Sequence, residues 1–195
     1  MLKPELRAPI ILPAVSLVLA LIAFSPASAE QRFGFGETPT EEQIAGWNTD
    51  IRYDGQGLPE GSGSVQQGER LFEEQCIQCH GPQGNGKPMV PLKGGRGSLD
   101  TADPLKTVGS YWPYAPVIMD YVHRAMPMPQ PNSLSTDELY ALTAYILHIN
   151  DVLPADAELD ADTLRSIEMP NRDGFVPDPR PDVRNVPCMQ DCRTE

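Results

Sequence analysis

The chain has 195 residues and a formal net charge of −12 at neutral pH, with 21 prolines, 16 glycines and four cysteines. So acidic a chain has little with which to neutralise phosphates, which excludes nucleic acid as a partner and suits steering toward a basic protein surface. The length predicts one compact domain with extensions, and no internal repeat is visible.

Residues 1–29 read as a leader rather than as part of the fold. Lys3 and Arg7 form a basic start, Ile10 to Phe24 an apolar run broken by Pro13, and Ala27-Ser28-Ala29 a small-residue cleavage site. The run is short for a membrane span, so the expectation is export to the periplasm, cleavage after Ala29 and no span thereafter. An uncleaved anchor is the competing reading.

Residues 30–63 read as an extended lead-in. Thr40, followed by Glu41, Glu42 and Gln43, predicts one short capped helix ending near Trp47, and the glycines and proline of 53–63 are turn chemistry. Trp47 is a large aromatic in a polar segment, which predicts a segment pinned onto a core or a partner.

Ser64 is placed to cap a helix running to about Cys76, with Val65, Gly68, Leu71, Phe72 and Gln75 close to one face. A glycine inside a helix costs about 1 kcal/mol relative to alanine, so Gly68 predicts a close crossing with a second helix. The helix leads into Cys76-Ile77-Gln78-Cys79-His80, and this stretch carries the chemistry. Two cysteines two residues apart, followed at once by histidine, form the attachment pattern of a covalent haem c. Each thiol adds to one vinyl group of the porphyrin, and His80 then stands under the iron as the proximal ligand. A zinc site would need four ligands, and Cys188 and Cys192 lie more than 100 residues away. A thioredoxin-like pair would open a helix after a strand, whereas these cysteines close one. One such motif implies one haem.

The glycines and prolines of 81–97 let backbone pass close to a flat ring. Pro91 is a candidate to offer a carbonyl to the far nitrogen of His80, and Arg96, Tyr111 and Trp112 carry donors suited to haem propionates. Ordinary surface charge and packing explain the last three equally well. Tyr114 to Ala125 predicts a helix with Val117, Ile118, Tyr121 and Val122 inward. It must stop at Met126-Pro127-Met128-Pro129, because proline cannot continue a helix. That loop offers two thioethers as a second iron ligand, Met126 or Met128, and such a ligand raises the reduction potential and suits electron transfer.

Ser135 and Glu138 form a capping box ahead of an amphipathic helix carrying Leu139, Leu142, Ile146 and Ile149. Residues 151–195 read as an acidic, then proline-rich extension: one short helix over 160–167, then an extended strap, with Cys188 and Cys192 paired as a disulfide in the oxidising periplasm. His123 and His148 lack a neighbouring nucleophile and read as packing or surface residues.

Gly68, Phe72, Cys76, Cys79 and His80, then a Met-Pro loop and a last helix with Leu142 and Tyr145, resemble class I cytochrome c over about 64–150. That resemblance implies an all-α domain whose first helix crosses its last. A narrower resemblance spans nearly the whole chain after the leader. It rests on Ile44-Ala45-Gly46-Trp47, Gly57-Leu58-Pro59-Glu60-Gly61-Ser62-Gly63-Ser64, Val108-Gly109-Ser110-Tyr111-Trp112-Pro113, Arg124-Ala125-Met126-Pro127 and Met169-Pro170-Asn171-Arg172-Asp173-Gly174-Phe175. These are similar to the cytochrome subunits of Sox sulfur dehydrogenases. The resemblance implies a molybdenum-cofactor partner subunit, a carrier protein bearing a cysteine persulfide whose outer sulfur is oxidised, and a downstream cytochrome c as acceptor. It assigns the distal ligand to Met126. A free-standing periplasmic electron carrier, or the cytochrome subunit of a sulfite dehydrogenase, is the alternative function.

Overall fold

The computed structural model describes residues 36–180. The expected leader and the Cys188–Cys192 pair lie outside the described residues. The chain divides into a leading unit, 1–44, and a main unit, 45–195. A first helix, α1 (Glu41–Trp47), buries none of its residues. Thr40 caps it, its hydroxyl accepting the Gln43 N–H at 3.2 Å while the Gln43 side chain accepts the Thr40 N–H at 2.8 Å.

In the main unit the order is β1 (Ser62–Ser64), α2 (Val65–Gln75), α3 (Ile77–His80), a 3₁₀ turn at Pro82–Gly84, α4 (Ala115–Ala125), α5 (Thr136–His148), β2 (Glu158–Asp160) and α6 (Ala161–Ser166). Reciprocal side-chain caps start three of these helices: Ser64 with Gln67, Ser135 with Glu138, and Asp160 with Thr163. Among the described residues no helix is long and apolar enough to cross a membrane.

The organising contact is the crossing of α2 over α5. A Cβ on Gly68 would stand 1.9 Å from the Ala141 carbonyl oxygen, a separation no real side chain tolerates, so the two backbones touch where Gly68 lies. One turn on, the Phe72 and Tyr145 rings sit 5.2 Å apart in a tilted pair. The crossing predicted from Gly68 is therefore present. Val65, Gly68 and Phe72 are buried as expected, whereas Gln75 is exposed.

Two predicted faces need correction. The last helix is not amphipathic along its length: every residue from Leu139 to Leu147 is buried, because α2, α4 and the strands surround it. On α4, Tyr121 points out and Met119 and Asp120 point in. Asp120 goes inside because it has work there. Its Oδ1 accepts the Ile51 N–H at 2.8 Å and the Arg124 Nε–H at 3.0 Å, and a second Arg124 nitrogen donates to Oδ2.

The fold is helical but not purely so. β1 and β2 pair antiparallel, with Gly63 opposite Leu159, a small sheet that the sequence reading of an all-α fold lacked. Three-residue strands carry too little alternation to be read from sequence. This sheet crosses the expected borders at 63 and 151 and holds the lead-in to the C-terminal extension. Further anchors fix the lead-in to α5: the Tyr140 hydroxyl donates to the Pro59 carbonyl at 2.8 Å, and Asp137 Oδ1 accepts the Ser62 N–H at 3.0 Å. The extension is anchored as well. Leu159, Leu164 and Met169 are buried, the Asn171 amide donates to the Tyr111 carbonyl at 2.8 Å, and Phe175 packs edge-on against the Tyr111 ring at 5.2 Å.

Candidate haem site

Cys76, Cys79 and His80 sit where α2 ends and α3 turns. The Cys76 N–H still donates to the Phe72 carbonyl, so it closes α2. The Cys76 carbonyl in turn accepts the N–H groups of Cys79 at 3.1 Å and His80 at 2.9 Å. One tight turn thereby presents two sulfurs and an imidazole from five residues. Both thiols are free, Cys79 exposed and Cys76 partly buried. Burial pushes the Cys76 thiol up to about 11, and the neighbouring Cys79 pushes the same way. A thiol pushed up in this way is not held as an activated thiolate at Cys76. Among the described residues no cluster of three or more His, Cys, Asp or Glu is arranged to hold a metal ion.

The His80 ring is half-buried, and its Nδ1 is the one buried side-chain polar atom without a hydrogen-bond partner among the described residues. Burial lowers the proton affinity of the ring, and the Val90 peptide, which faces it, opposes that effect without closing a proper hydrogen bond. The peptide that acts on the His80 ring is that of Val90, next to the expected Pro91. The loop reaches that position through a turn whose bonds run back to the motif: Gly86 N–H to His80 O at 2.7 Å, Met89 N–H to Cys79 O at 2.9 Å and Leu92 N–H to Gly84 O at 2.8 Å.

The methionine loop leaves α4 as expected. Met126 is the residue after the helix, extended at φ −127° and ψ 148°, its N–H bonded to the Val122 carbonyl, and Pro127 enforces the break. Its side chain packs partly buried against the core, whereas Met128 is exposed.

The three suggested propionate contacts are dispersed in role. Arg96 donates to the Asn150 carbonyl at 3.1 Å, beyond the end of α5. Tyr111 stacks under Lys106 and against Phe175, and Trp112 packs partly on the core with its ring edge-on to Tyr121 at 5.9 Å.

The sequence reading missed Asn150. It is buried; its amide donates to the Leu92 and Ile146 carbonyls at 3.1 and 2.8 Å, and its oxygen accepts the Gly109 N–H at 3.1 Å. One side chain thereby ties the loop after the motif, the turn before α4 and the end of α5. A lone asparagine at a helix end looks like a cap from sequence, and only the fold brings its partners together.

These residues fit a haem c. Two thiols and an imidazole converge from one turn, the imidazole has a buried nitrogen with no partner, and a thioether stands on a second loop.

The cytochrome c family model matches residues 65–150. A crystal structure of the sulfane dehydrogenase SoxCD from Paracoccus pantotrophus contains a chain 40% identical to this one, with a TM-score of 0.73 and 84% of each chain covered. A cytochrome c domain implies covalently bound haem c and an electron-transfer role. The chain belongs to the class I cytochrome c family and, within it, to the relatives of the SoxCD sulfane dehydrogenase.

Proposed function

We propose that this chain is the one-haem electron-transfer subunit of a periplasmic sulfur dehydrogenase. It takes electrons from a molybdenum-cofactor subunit that oxidises the outer sulfur of a cysteine persulfide on a carrier protein, and passes them to a downstream cytochrome c. Haem c, when bound, supplies one-electron redox chemistry at its iron. Cys76 and Cys79 would hold it through two thioether links. His80 would give the iron a ring nitrogen, and the Val90 peptide beside the ring would help to set its orientation and basicity. Met126 would provide a second, thioether ligand, a donor that favours ferrous iron and raises the potential. Its partly buried position supports it over exposed Met128. Sulfur chemistry itself belongs to the partner.

The observation that carries this reading is the reach of the SoxCD likeness. At 84% of the chain it extends beyond 65–150 into segments that a generic cytochrome c does not need. The test is rapid-mixing spectroscopy of the oxidised chain. Haem reduction that requires both the molybdenum subunit and the persulfide-loaded carrier supports the reading. Fast reduction by sulfite with that subunit would make the chain part of a sulfite dehydrogenase instead.

A further inference from the structure

We infer that α1 is a docking element for the partner subunit, with Trp47 as its anchor and the carboxylates around it selecting a basic face. This inference rests on the reading above that a molybdenum-cofactor subunit is the partner, and it names the surface by which that subunit is held.

Trp47 is 88% exposed and Ile44 46%, and helical spacing of three puts both on one face of α1. A tryptophan buries roughly 150–250 Å² when covered, and with Ile44 beside it Trp47 leaves an apolar area open on this face. The fold does not cover it: no residue of α1 is buried. The helix is nevertheless built deliberately. It is capped by Thr40 and Gln43, and the backbone just after it is fixed by the Thr49 N–H on the Trp47 carbonyl at 3.0 Å and the Ile51 N–H on buried Asp120 at 2.8 Å. A preformed, rooted helix loses less freedom on binding than a floppy arm would.

Charge chooses the occupant. Between residues 36 and 51 there are four carboxylates, Glu37, Glu41, Glu42 and Asp50, all exposed, and no lysine or arginine. An anionic lipid surface would repel this segment, and so would a second copy of a chain carrying −12. What remains is a protein with an apolar pocket for an indole, rimmed by basic side chains, the usual make-up of an interface hot spot and its charged border.

The test is binding of the full-length haem-loaded chain to the purified molybdenum subunit of the same host, followed at low and raised salt. Trp47→Ser should weaken binding about tenfold or more, mainly through faster dissociation, and Glu41→Lys with Glu42→Lys should slow association and flatten its salt dependence. Both sets of side chains are exposed, so the haem spectrum and helical circular dichroism should match the unsubstituted chain. Binding of Trp47→Ser within about twofold of the unsubstituted chain overturns the inference and leaves the partner reading standing. Failure of the unsubstituted chain to bind overturns the partner reading, and the inference with it.

Discussion

At the scale of single residues, two side chains carry the proposed ligation of a haem iron. Burial lowers the proton affinity of the His80 ring, which favours the neutral imidazole that a metal needs as ligand. Met126 is placed by a proline that ends α4, and its side chain is the sheltered one of the two methionines. Met126→Ala should therefore lower the reduction potential and let added cyanide or carbon monoxide bind at once, whereas Met128→Ala should change neither; spectroelectrochemistry and ligand-mixing kinetics check both. Asn150 belongs to the same scale. Removing its amide in Asn150→Ala leaves the Gly109 N–H without its partner and the Leu92 carbonyl with only the Val108 N–H, and stability should fall by about 2 kcal/mol in denaturant melts. The motif residues were legible in the sequence because haem attachment needs a fixed spacing within five residues. Asn150 and Asp120 were not, since the partners that tie them to other elements lie 41 to 69 residues away in the chain.

Between elements, the α2–α5 crossing carries the fold. A methyl group at Gly68 has no room against the Ala141 carbonyl oxygen, so Gly68→Ala must push the helices apart and disturb the Phe72–Tyr145 pair above it. The expected cost is about 3 kcal/mol or more, seen as a loss of cooperative thermal unfolding and of haem retention. Tyr140, on the same α5, gives a pH dependence. Burial, the largest influence, raises its pKa above the usual 10.0, and its hydroxyl donates to Pro59. A phenol harder to ionise in the folded than in the unfolded chain contributes stability that is complete below pH 10 and is lost as pH rises through the folded-state value. The midpoint of alkaline unfolding, followed by far-ultraviolet circular dichroism, should shift upward in Tyr140→Phe, although its stability at neutral pH falls with the lost bond. The crossing was legible because glycine within a helix has few reasons to be there. The burial of α5 on all sides was not, because it depends on β1 and β2, strands too short to leave a pattern.

Within the main unit, the lead-in from Ile51 on and the C-terminal extension are joined to the cytochrome c core rather than trailing from it. Ile51, Pro59 and Ser62 fix the lead-in, and Leu159, Leu164, Met169 and Asn171 fix the extension. The sequence reading placed these segments but not their attachments. Trp47 shows the difference: its exposure is a fact of the fold, and a partner is what the fold leaves to cover it. The acidic surface then acts at long range, and association with a basic partner should slow as ionic strength rises.

The central claim is that this cytochrome works as a subunit of a molybdoenzyme. A tagged chain recovered from its own host, with haem and molybdenum quantified in the eluate, tests it directly. The account predicts molybdenum eluting in fixed ratio to haem. Haem alone, at every salt concentration tried, would contradict it and make the protein a mobile electron carrier.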